Sequence, residues 1–168
     1  NLTNMAYGAA TAVPGMAIPD NVLVMVALQG PWREKAPELQ AGDDARLRAW
    51  VEKLGGRKVW LWNYVNCYAG VIPPGVPPLC PRQIAAYYRR NAPFLFGAFL
   101  QSECDAFLSQ YLNWYVFAKT AWDVRTDVEA LLREHHEKLF GPAAAPMQRL
   151  YDRLEATWID RCLGGFTD

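Results

Sequence analysis

An α/β fold built on parallel strands is the class this chain predicts, and three observations predict it. Short apolar runs alternate with amphipathic stretches in the order strand, helix, strand, helix, strand. The runs are apolar without a polar alternation, as in strands covered on both faces. The stretches between them are long enough for the helical crossovers that parallel neighbours require.

The segment "NVLVMVAL" (residues 21–28) is the first clear run, bounded by Pro-Asp and Gly-Pro. Ahead of it, "LTNMAY" reads as the end of a further strand. In "GDDARLRAWVEKLGG", Leu47, Trp50, Val51 and Leu54 form one helical stripe; Asp43 or Asp44 can cap its start and Gly55 its end. "RKVWLWNYV" is a second strand, and Trp60, Trp62 and Tyr64 share one of its faces because side chains alternate. Trp60 is expected to pack on a flanking helix. "CPRQIAAYYRRNAP" predicts a helix with Pro81 in its first turn and Pro93 beyond its end. Arg89 and Arg90 suit that helix's C-terminal dipole rather than a phosphate. "FLFGAFLQ" (residues 94–101) is the third strand.

From Asp105 the pattern turns helical. "DAFLSQYLNWYVFAKTAW" is a long aromatic helix, "RTDVEALLREHHEKLFG" an amphipathic one stopped by Gly141 and Pro142, and "AAAPMQRLYDRLEATWIDRCLGG" a third. Asp123 is expected to cap the helix that contains Val128, Leu131 and Leu132. An open sheet of three or four strands with hydrophobic faces leaves at least one edge uncovered. The chain therefore reads as part of a larger α/β structure.

Composition narrows the function classes. At 52% hydrophobic and 20% charged the chain is globular, and its 168 residues suggest one domain. Seventeen basic residues balance seventeen acidic ones, so no net field gathers nucleic acid or an anionic membrane. There is no run of about 18 apolar residues, so no spanning helix is expected. "NLTNMAYG" lacks a basic and an apolar leader region, and without Met it implies either a removed leader or a piece of a longer protein. Cys67, Cys80, Cys104 and Cys162 show no zinc spacing; Cys67 and Cys80 bracket a Pro-rich loop and could pair, with free thiols as the other reading. His135 and His136 point about 100° apart on a helix, cannot ligate one metal together, and read as a solvated helix end. No Gly-rich phosphate loop, Ser-His-Asp set or Cys-His pair with supporting context appears, and no cofactor and no metal is expected.

Three segments carry a resemblance: "RKVWLWNYVNCY" with its Trp-Asn-Tyr ending, "IPPGVPPL", and "AKTAWDVRTDVEALLREHHEKLFGPAA". Together they resemble an uncharacterised glycoside-hydrolase-like TIM-barrel family, a domain of unknown function related in architecture to α-glucuronidases and β-hexosaminidases. The resemblance spans nearly the whole chain. It implies the C-terminal half of a (β/α)8 barrel, strands about five to eight, within residues 1–104, and an α-helical tail over residues 105–168. The other half of the barrel would then be a partner from the same protein.

It also implies carbohydrate as ligand, with glycoside hydrolysis as the activity and a non-catalytic binding or structural module as the alternative. Such barrels keep their chemistry at the C-terminal strand ends. The ends here carry Tyr7, Trp32, Trp62, Asn63, Tyr64 and Gln101, aromatic and polar groups suited to sugar faces and hydroxyls. Asn63→Ala with Tyr64→Phe is expected to weaken binding with little loss of fold. Relatives often carry Asp where Asn63 stands and Glu near Leu100, so the carboxylate has either moved to Glu103 or is absent; Glu103 and Asp105 can equally cap the next helix. The principal acid would sit on an upstream strand. The loop "VIPPGVPP" would stiffen one wall of the site. Carbohydrate work and a Cys67–Cys80 bridge would both fit secretion or the periplasm.

Overall fold

Four parallel strands lie side by side in chain order, β1 (Leu2–Ala6), β2 (Val22–Ala27), β3 (Val59–Tyr64) and β4 (Leu95–Gln101). The computed structural model describes residues 2–31, 36–64, 77–101 and 107–163. Helices α1 (Pro37–Lys53) and α2 (Pro81–Asn91) make the second and third crossovers, and α3 (Phe107–Trp122) follows β4. Two further helices, α4 (Val128–Phe140) and α5 (Ala144–Thr157), end in a π-helical turn at Trp158–Leu163. None of the described helices is long and apolar enough to cross a membrane.

The register divides the sheet into two unlike faces. Ala6, Val24, Val26, Val59, Leu61 and Leu100 are buried against Leu47, Trp50 and Leu54 of α1 and Ile84, Tyr87 and Tyr88 of α2. Trp114 and Phe117 of α3 pack on the same core, and Trp158 and Ile159 join it from the C-terminal turn. The other face carries Thr3 and Met5 of β1, Leu23 and Met25 of β2, Trp60 and Trp62 of β3, and Gly97 and Phe99 of β4. Leu23 is 37% exposed, Phe99 45% and Phe96 70%. Among the described residues, helices cover one face of the sheet and leave the other open, so the cover expected on that second face is not part of the described chain. A strand order that never reverses requires this, because right-handed crossovers running one way place every helix on one side.

The expectation for Trp60 is corrected. Instead of meeting a helix, its ring lies across Gly97 and beside Phe96, with ring centroids 5.4 Å apart. A Cβ on Gly97 would stand 2.5 Å from that ring, so only glycine leaves Trp60 its seat. The sheet register shifts at Val59/Trp60, which accommodates Phe96 beside it.

Three local expectations also change. Helix α1 starts at Pro37, six residues before Asp43, because Pro preorganises the first helical position. Helix α4 is capped by Asp127, which accepts from the Ala130 N–H at 3.1 Å; Asp123 instead accepts from the Arg125 N–H at 2.9 Å and pairs with its guanidinium. Arg125 holds the Asp123 carboxyl below its usual range through those hydrogen bonds. His136 is buried rather than solvated. The first crossover, between β1 and β2, has only a short 3-10 turn at Gly8–Thr11. Beside it an apolar groove of about 580 Å3 runs past Leu2, Met16, Ile18, Val22 and Trp50.

Two cores join the helices. A second cluster packs Leu79 and Ala85 against Leu112 and Val116 of α3 and Val128, Leu131 and Leu132 of α4. Arg82, at the N-terminus of α2, pins this layer: it pairs with Glu129 of α4 at 2.6 Å and with Asp152 at 2.9 Å and Glu155 of α5. Burial outweighs the attraction of Arg82 and raises the Glu155 carboxyl above its ordinary range. Cys80 is a free, buried thiol pushed up by the same desolvation, whereas Cys67 lies outside the described residues.

Candidate functional site

The C-terminal strand ends gather two groups of side chains. Trp62 and Gln101 meet across the β3–β4 pair, where the indole N–H donates to the Gln101 amide oxygen at 2.8 Å. Phe99, opposite Trp62 in the register, sets its ring edge-on at a centroid distance of 4.7 Å. This arrangement presents two aromatic rings set edge-on with an amide beside them.

The second group is a cleft of about 240 Å3 over β1, β2 and β3, lined by Tyr7, Gln29, Asp43, Arg46 and Tyr64. Tyr7 is 57% exposed, and Tyr64 is buried on the same face as Trp60 and Trp62. Asp43 and Arg46 come from the second and third turns of α1, with the guanidinium 3.6 Å from a carboxylate only 4% exposed. Sequence reading missed this pair by treating Asp43 as a cap. The signal was there: Asp43 extends the Leu47–Trp50–Leu54 stripe one turn back, so a charged residue sits on a buried stripe.

Asn63 belongs to neither group. It points to the helix side, fully buried, where its Nδ2 donates to the Leu28 carbonyl at 3.0 Å and lies 3.4 Å from the Tyr87 hydroxyl. Its Oδ1 accepts from the Tyr88 hydroxyl at 2.9 Å. Burial pushes both phenols up and keeps them protonated, so Tyr88 remains a donor. Asn63 therefore ties the end of β2 to α2; its amide is spent on the protein. Gly30, at φ +84°, turns against it, and a Cβ there would come within 2.8 Å of the Asn63 amide.

Among the predicted residues, then, Trp62 and Gln101 touch, Tyr7 and Tyr64 share the cleft, and Asn63 faces away. Trp32 and Glu103 lie outside the described residues, as do Asp105 and most of the Pro-rich loop. Among the described residues no cluster of His, Cys, Asp or Glu is arranged to hold a metal ion. No protein-family model, curated protein or solved structure matches the chain.

Proposed function

We propose that the chain is one side of a (β/α)8 barrel of the glycoside-hydrolase-like kind, with a carbohydrate site at the C-terminal ends of its strands. One observation carries the reading. Every described helix that packs on the parallel sheet does so on one face, and among the described residues the opposite face is left apolar and aromatic. That is the layout of a barrel segment, whose second face becomes the packed interior once the remaining strands are added. Those strands would come from the same protein.

In this reading Trp62 and Phe99 stack against a sugar, Gln101 bonds a hydroxyl, and Tyr7 and Tyr64 line the neighbouring cleft with Asp43 and Arg46. Glu103, directly after β4, supplies a carboxylate, and the principal acid stands on an upstream strand. Hydrolysis needs two carboxyl groups about 5–9.5 Å apart, or one acid and an orienting carboxylate when the substrate's N-acetyl group attacks.

A second reading, a non-catalytic carbohydrate-binding module, is favoured by the open face itself. Its β3 and β4 positions are Trp60, Trp62, Tyr64, Gly97, Phe99 and Gln101, which can bind a sugar but include no carboxyl group. The two readings separate on nitrophenyl glycosides and oligosaccharides offered to the intact protein that contains this chain. Hydrolysis lost by about 100-fold or more in Glu103→Gln, with binding kept, supports the enzyme. Binding without turnover supports the module. Absence of binding to every sugar removes both.

A further inference from the structure

We infer that Asp43 and Arg46 together read two neighbouring hydroxyls of a single neutral sugar ring seated in the cleft over β1, β2 and β3; the inference rests on the carbohydrate reading above. The cleft, of about 240 Å3, has room for one such ring, and Tyr7, Gln29 and Tyr64 complete the part of its wall that matters here.

Asp43 is out of place as a packing residue. It lies one turn before Leu47 on the stripe that α1 buries, and it is itself buried. A carboxylate taken out of water costs stability that an apolar side chain at the same position would not. What the position supplies instead is a carboxylate in the wall of an open cleft, beside the half-exposed Arg46 guanidinium at 3.6 Å. A carboxylate offers about four acceptor positions and a guanidinium several N–H donors, more than one ion pair uses. Side by side, the two match adjacent ring hydroxyls: one O–H donates to Asp43, and the neighbouring oxygen accepts from Arg46. The pair sums to zero charge, which sets the class of sugar. A carboxylate on the ring would meet Asp43 and an ammonium would meet Arg46, so both charged classes are disfavoured.

The third contact is held in place by the fold. Tyr7 leaves β1 extended, at φ −133° and ψ 147°, and its carbonyl accepts from the Ala10 N–H at 3.0 Å, which closes the turn Gly8–Thr11. The Trp50 indole N–H then donates to the Thr11 carbonyl at 2.9 Å. Trp50 stands on the same stripe of α1 as Asp43, so one helix fixes the exposed Tyr7 ring relative to the charged pair. Tyr7 supplies an aromatic face for the C–H bonds of the sugar, and a rim fixed beforehand spares binding the cost of ordering it.

The test is binding of methyl glycosides of neutral hexoses, their monodeoxy analogues and a methyl uronide to the intact protein that contains this chain, with the Tyr7 ring followed by 13C NMR. Two adjacent deoxy positions should each cost about tenfold in affinity. In Arg46→Gln one of those losses should shrink below about twofold, and in Asp43→Leu the other, because the partner of the missing hydroxyl is already gone. The Tyr7 ring should shift with every sugar that binds. If Asp43→Leu does not fold, Arg46→Gln, altered at a half-exposed side chain, decides alone. Deoxy losses that persist unchanged in the variants, or a uronide bound more tightly than its hexoside, overturn the inference and leave the Trp62 site standing. Oligosaccharides that shift the Trp62 indole while the Tyr7 ring stays fixed do the same. Absence of binding to every sugar overturns it together with the carbohydrate reading.

Discussion

The Trp62 indole N–H donates to the Gln101 side-chain oxygen across the β3–β4 pair at 2.8 Å. Residues 39 apart in sequence are thus held together at the end of the sheet by one half-buried bond. Gln101→Ala removes that acceptor and leaves the ring free to turn. The expected outcome is about a fivefold to tenfold loss of carbohydrate affinity, the value of one net hydrogen bond. Thermal stability should change by less than about 1 kcal/mol, since water can reach the indole in its place. Calorimetric titration beside a melting curve checks both.

Asn63 should behave in the opposite way. Asn63→Ala strands the Leu28 carbonyl and the Tyr88 hydroxyl in a buried layer, at about 1–3 kcal/mol for each partner left unpaired. The sequence alone leads one to expect a binding defect with little loss of fold. The buried network predicts a folding defect, visible as a lowered denaturant midpoint even without ligand.

Gly97→Ala is a stringent test of the open face. The new methyl would meet the rigid Trp60 ring at 2.5 Å, so the ring must leave its seat beside Phe96. Overpacking of this kind costs about 1–3 kcal/mol. Tryptophan fluorescence should also shift, because Trp60 would move toward solvent or toward Met25.

Arg82→Met isolates the ion cluster. Glu155 would keep a nearly buried carboxylate without its cation, a loss of about 3 kcal/mol, whereas the half-exposed Glu129 and Asp152 arms add little. The pH dependence has a definite sign. Burial already raises the Glu155 carboxyl, and removing Arg82 raises it further, so the folded state holds that proton more tightly than the unfolded chain. The variant's deficit should therefore shrink as pH falls from 8 toward 5 and Glu155 becomes neutral. Chemical denaturation at the two pH values measures it.

Sequence patterning made the strands and helices legible because their signals are local. The apolar run around Val24 and Val26, the Leu47–Trp50–Leu54 stripe, Pro81 and Gly141 each act within a few residues of themselves. Which way β3 faced was not local. The alternation put Trp60, Trp62 and Tyr64 on one side and Asn63 on the other, but the side taken by the helices is fixed by Ile84, Tyr87 and Tyr88 packing over Leu61. A polar residue at a strand end reads as a ligand contact until its helix partners are known. Asp43 was hidden for the same reason, since a helix started six residues earlier by Pro37 turns a cap into a buried group.

The central claim is that the aromatic strand ends meet a sugar. Its most direct test is a 1H–15N titration of the intact protein with oligosaccharides, following the tryptophan indole signals. A saturable shift of the Trp62 indole and the Gln101 side-chain amide, with the buried Trp50 indole unmoved, is the predicted result. Indole signals that stay fixed at saturating sugar, or shifts confined to tryptophans away from β3 and β4, would contradict it.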